Sequence, residues 1–189
     1  GLSHTRVLAA DLHTDGYGSV SKLVRNIVLT TLAFEALFAV ALSARFFIAY
    51  DYGFSTAAIH GVFHSISAWN NAGFALYTDN FLGFANDWFF SIAVCLAVIL
   101  GGIGFPVLRA FAVHKFNRRM WPLHSKLMVS ATAVLLVLGT ALFLFFEWSN
   151  PETLGALPES SRLHSAFFHS VQTRTAGFNS VDVAALNEE

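Results

Sequence analysis

Charge is what this sequence has least of. Only 12% of its 189 residues are Asp, Glu, Lys or Arg, while 55% are hydrophobic and the mean hydropathy is +0.57. A soluble domain of this length needs a charged surface, and too few charges are present to make one. The lipid bilayer is the natural solvent, so the chain is expected in a cell membrane (inner or plasma) and to cross it several times. The net charge of −1 supplies no basic surface for nucleic acid. The single cysteine, Cys95, lies in an apolar run and can build no disulfide framework. No Ser/His/Asp arrangement, Cys/His metal motif or phosphate-binding loop stands out, and enzymatic activity has no support. Residues 1–22 mix His, Arg, Asp and Gly, unlike a signal peptide. With no initiating Met and an end at Asn187-Glu188-Glu189, the chain reads as a fragment.

What is present is a set of long apolar runs. About 20 such residues are needed to cross a bilayer as a helix. Trp88 to Leu108 holds 21 residues without a charge, and Leu127 to Phe146 holds 20. Ile27 to Ala44 is a third run, interrupted by Glu35. The spacing predicts an all-α membrane protein with spans over 27–48, 88–113 and 127–148. Eight of the eleven basic residues fall on one side of these spans: Arg6, Lys22, Arg25, Arg109, Lys115, Arg118, Arg119 and Lys126. The positive-inside rule places that side, with the basic loop 114–126 and the lead-in 1–26, in the cytoplasm. Trp88, Trp121 and Trp148 fall at span ends, where amphipathic rings favour the interface.

Between the spans lies a repeat. Phe63-His64-Ser65 returns as Phe168-His169-Ser170 at an offset of 105, and Ala72-Gly73-Phe74 as Ala176-Gly177-Phe178 at an offset of 104. Each copy follows a span and is too short to cross, yet too apolar for an ordinary external loop. Internal repeats on this scale imply a shared structural unit. The unit predicted is span, re-entrant pore helix, Ala-Gly-Phe turn, span. One complete unit covers 27–113, with its pore helix and turn at 55–76. An incomplete one covers 127–189, with its pore helix and turn at 160–180.

Irregular backbone inside a bilayer is tolerated only where it is buried in protein or lines a watery path. Glycine permits conformations that let successive carbonyls face one axis, and rings of carbonyls can replace the hydration shell of a cation. Taken singly, Gly73 and Gly177 could each be a simple helix C-cap. Two copies in equivalent places favour an ion filter lined by Gly73 and Gly177. Asn70, Arg174 and Asn179 would support it.

At Phe63–Leu76, Gly101-Gly102-Ile103-Gly104-Phe105-Pro106 and Thr173–Asp182 the sequence resembles the Trk/Ktr/HKT superfamily of potassium transporters, over nearly its whole length. The resemblance implies four span–pore–span units around one pore, of which this chain would supply the second and part of the third. It places the filter at Asn71, Ala72, Gly73 and Phe74 with Thr175, Ala176, Gly177 and Phe178, and implies potassium as the transported ion, with sodium as a coupling or activating ion. As partners it implies a homodimer and a cytosolic ring of nucleotide-binding regulatory subunits. The alternatives are a sodium-preferring transporter of the same fold, or a membrane scaffold or sensor that does not transport.

Several residues carry two readings. Glu35 is expensive in lipid and suggests either a bond to a neighbouring pore helix or ion contact. His60 and His64, four apart on one helical face, can bind metal or pack a pore helix. Gly101, Gly102 and Gly104 allow close helix approach or form a hinge beneath the filter. Arg174 either pairs with an acidic residue to brace the loop or repels cations at the mouth.

Overall fold

The computed structural model describes residues 17–115, 117–174 and 176–187, and among them every regular element is helical. They divide into two units, one ending at Phe34 and the other beginning at Glu35. The first unit is described only as the opening part of a helix, α1 (Tyr17–Ala49). Neither proline nor an interior glycine past Gly18 interrupts α1. Its 33 residues rise about 50 Å, more than the roughly 30 Å hydrocarbon core requires. The expected span over 27–48 lies within it, and helix also covers 17–26, expected as lead-in.

The second unit continues through α2 (Phe54–Trp69), α3 (Trp88–Ile103), α4 (Phe105–His114), α5 (Leu123–Glu147) and α6 (Glu159–Gln172). Among the described residues, α1 and α5 are each long and apolar enough to cross a membrane, and α3 with α4 makes a third crossing if counted as one broken span. α3 begins firmly. The Asp87 carboxylate accepts the Phe90 N–H at its N-terminus, and also accepts from Arg45 Nε and the Tyr50 hydroxyl at 2.8 Å each.

The run expected as one span over 88–113 is not straight. α3 and α4 meet at 96°. Gly104 between them has φ +90°, which an L side chain resists, and Pro106 brings no N–H to continue the ladder. Gly104 is therefore the break, whereas Gly101 serves close approach. A methyl group at Gly101 would collide with the Trp69 carbonyl at the end of α2.

Aromatic rings fill the space above α2. Phe46 lies at its centre, fully buried, touching Tyr52, His60, His64, Phe84 and Phe90 with ring centroids 5.5–5.9 Å away. Phe81 continues the cluster to Phe178, which follows α6 in the chain. The two repeated segments are thereby joined through one core.

Candidate functional site

The helices of both repeats hang on the preceding span by the same hydroxyl. Ser65 Oγ donates to the Glu35 carbonyl at 2.6 Å, and Ser170 Oγ donates to the Leu136 carbonyl at 2.9 Å. Just past each helix a second tie follows. Asn70 Nδ2 donates to Glu35 Oε1 at 2.8 Å, and Arg174 Nη2 donates to Thr132 Oγ1 at 3.2 Å. The longer arginine side chain reaches one helical turn further along its span than the Ser170 tie. Glu35 is thus bonded to Asn70 at the end of α2. Arg174 takes a hydroxyl as partner in place of the acidic group that the sequence suggests.

Beyond α2 the chain turns sharply. Asn71 has φ +52°, and its amide, assigned with nitrogen toward Val98 and oxygen toward Gly102, donates to the Val98 carbonyl and accepts from the Gly102 N–H, each at 3.3 Å. The Ala72 N–H donates to the Ser67 carbonyl at 2.8 Å. Ser67 Oγ then takes the Phe74 N–H at 2.9 Å and donates to the Phe74 carbonyl at 2.8 Å. Gly73, held between these anchors, has φ +71°. In the second copy the Ala176 and Gly177 N–H groups both point to the Gln172 carbonyl, and Gly177 has φ +78°. Thr175 lies outside the described residues.

The two turns touch. A methyl group at Gly73 would collide with the Ala176 carbonyl oxygen and come within 3.1 Å of Gly177 Cα. One at Gly177 would meet Gly73 Cα at 3.7 Å. Gly73, Ala176 and Gly177 are therefore brought together, 104 residues apart in sequence for the glycine pair. Phe74 points outward and is 69% exposed, whereas Phe178 is fully buried against Phe81. Asn70 and Ala72 are exposed and Asn71 is half-buried, so the first turn presents more of itself than the second. Asn179 contributes its carbonyl, which accepts the Phe81 N–H at 2.9 Å.

The repeated histidines clasp the segment that leaves each turn. His64 Nδ1 lies 2.7 Å from the His60 carbonyl and must donate, leaving Nε2 to accept the Leu76 N–H at 3.2 Å. His169 Nε2 meets Ser180 Oγ at 3.1 Å. Leu76 and Ser180 stand at the same place, three residues after the glycine of each copy. With both nitrogens of His64 engaged, and His60 Nδ1 2.8 Å from the Tyr77 hydroxyl, this pair ties α2 to the segment that follows it.

Charge around the turns is sparse. The nearest fixed dipoles are the C-terminal ends of α2 and α6, whose last carbonyls carry partial negative charge. Such ends, with neutral amides and peptide carbonyls, suit a weakly held monovalent cation better than a transition metal. Sequence reasoning missed Ser67, the main anchor of Phe74, and Glu147, which is buried and accepts from Asn150, Thr153 and the Asn187 N–H. The Phe-His-Ser repeat held the signal for the two clasping histidines. Nothing in the sequence distinguished Ser67.

The chain matches the family of TrkH cation transport proteins over residues 2–189. It is 40% identical over 171 residues to the Ktr system potassium uptake protein B of Vibrio alginolyticus, covering 90% of this chain and 37% of that protein. To the protein of the same name from Bacillus subtilis it is 37% identical over 190 residues, covering 100% of this chain and 42% of the relative. The potassium/sodium uptake protein NtpJ of Enterococcus hirae is 35% identical over 181 residues, or 96% of this chain and 39% of its own length. The chain thus spans about two fifths of the length of these relatives. All three are named for ion uptake, and none for enzymatic activity.

Proposed function

The chain belongs to the TrkH family of cation transport proteins, and on that premise we propose that it builds two walls of a potassium uptake pore. In this reading α2 and α6 are re-entrant pore helices, and the whole protein places the two turns in a ring with others of their kind. The observation that carries the proposal is the contact between Gly73 and Ala176-Gly177, two left-handed glycine turns at the ends of equivalent helices.

The filter positions are Asn71, Ala72, Gly73 and Phe74 with Thr175, Ala176, Gly177 and Phe178. Carbonyls of these turns take the place of water around a dehydrating potassium ion. The negative ends of α2 and α6 lower the energy of the cation without binding it tightly enough to trap it. Asn70, Asn179 and Arg174 hold the turns from behind. Potassium is the transported ion, and sodium is a coupling or activating ion; a relative named for both ions supports that addition. The whole protein works as a homodimer with a cytosolic, nucleotide-binding regulatory ring, a partnership consistent with relatives named as parts of a Ktr system.

The test is growth of cells lacking potassium uptake, rescued by the whole protein carrying Gly73→Ser or Gly177→Ser. Either change should abolish rescue at low potassium or admit sodium in competition. Full rescue with unaltered selectivity from both variants would remove these turns from the filter.

A further inference from the structure

We infer that the basic segment from Arg109 to Lys126 is a docking surface for anionic lipid headgroups. Between Asp87 and Glu147 the sequence has no acidic residue, so Arg109, Lys115, Arg118, Arg119 and Lys126 stand without a local counter-charge. Among the described residues none of the five makes an ion pair. All five are exposed.

The segment has a built shape. α4 leaves α3 at 96°, so where α3 runs along the membrane normal α4 lies parallel to the membrane plane. Lys115 ends α4 with φ 48°, and the chain folds back through the turn Arg118–Met120. Trp121 Nε1 closes this fold by donating to the Lys115 carbonyl at 3.0 Å, with its ring edge-on to Phe111 at 6.3 Å. Lys115, Arg118 and Arg119 are thereby gathered on one short closed loop.

Apolar side chains stand among the charges. Val113, Met120 and Leu123 are 63%, 61% and 72% exposed. A loop immersed in water gains nothing from holding them out. At a bilayer boundary they enter the acyl region while the cations meet phosphates, the pattern of an interfacial amphipathic segment. Charge complementarity then selects the lipid. The cytoplasmic leaflet carries the anionic headgroups, and each nearby Lys or Arg strengthens binding about fivefold. The inference uses the orientation given by the basic residues and is independent of which ion is carried.

The experiment uses the whole protein in vesicles and reads quenching of Trp121 by brominated lipids, with Trp121→Phe supplying the background from the other tryptophans. Brominated phosphatidylglycerol should quench more strongly than brominated phosphatidylcholine. Lys115→Gln, Arg118→Gln and Arg119→Gln together should reduce that preference on the order of 100-fold. A control exchanging the same positions for the other basic residue (Lys115→Arg, Arg118→Lys, Arg119→Lys) should keep it. Equal quenching by the two lipids in the unaltered protein overturns the inference. So does a preference that survives neutralisation, including the case where neutralisation impairs only stimulation by a soluble regulatory subunit. Loss in the charge-keeping control would show that the effect is not electrostatic, with the same consequence. Inorganic phosphate, at ionic strength matched with chloride, should not displace the lipid; displacement by phosphate alone would assign the surface to a free anion. No ion flux enters the measurement, so its failure is distinct from failure of the potassium reading.

Discussion

Phe81 lies flat on Phe178, with ring centroids 4.6 Å apart and planes 17° from parallel, while its own N–H donates to the Asn179 carbonyl at 2.9 Å. One residue of the first repeat therefore supports the second glycine turn from behind, by ring and by backbone. Both rings are fully buried.

Phe81→Ala should destabilise the protein by about 3 kcal/mol, the usual cost of emptying a buried phenylalanine site. Phe81→Leu should cost less, since it leaves a smaller void. Thermal unfolding in detergent measures the order. If the pore reading holds, ion selectivity should weaken with Phe81→Ala even below the unfolding temperature, because the second turn loses its backing. Equal stability of the two variants would contradict the packing argument.

The two glycines should respond unequally to alanine. Both have positive φ, so each substitution brings about 1–3 kcal/mol of backbone strain. At Gly73 the added methyl group also strikes the Ala176 carbonyl, whereas at Gly177 its nearest neighbour is 3.7 Å away. Potassium uptake normalised to protein in the membrane should fall further for Gly73→Ala than for Gly177→Ala. The reverse order would mean that the turns do not meet as described.

Asp87 supplies a pH dependence. Burial alone would raise its carboxyl, but the hydrogen bonds from Arg45, the Phe90 N–H and Tyr50 outweigh it and hold the group below the ordinary carboxylate value. A lowered folded-state pKa gives stability that is present above the unfolded value, about 3.9, and is lost as pH falls through the folded value. Asp87→Asn should therefore cost about 2 kcal/mol at neutral pH, between exposed and buried pairs. The gap in unfolding temperature from the unaltered protein should narrow below pH 4. A gap that widens on acidification would contradict the assignment.

Arg174 and Thr132 should behave as a coupled pair. Arg174→Gln and Thr132→Val each remove the same hydrogen bond, so their combined effect on stability should fall short of the sum by about 1 kcal/mol. Additive effects would free Arg174 from Thr132 and return it to the cation path. Conductance rising in Arg174→Gln while stability is unchanged would point the same way.

Much of the fold could be read from residue order alone, because bilayer crossing is a demand on length and apolarity that α5 meets over its whole extent. The repeat was legible because Phe-His-Ser and Ala-Gly-Phe recur in step, and the structure shows what Ser65, Ser170, His64 and His169 each hold. The break at Gly104 was not, because an apolar run states how much chain avoids water and is silent on direction. The start of α1 at Tyr17 was hidden for a related reason: Lys22 and Arg25 end the apolar run but are good helix formers. The partner of Arg174 depended on side-chain reach across packed helices, which spacing along the chain does not encode.

The break at Gly104 has a consequence for the surrounding lipid. Sixteen residues of α3 rise about 24 Å, short of the roughly 30 Å of hydrocarbon. With α3 along the membrane normal, acyl-chain length is therefore expected to act on the joint at Gly104, a short helix favouring a thinner bilayer.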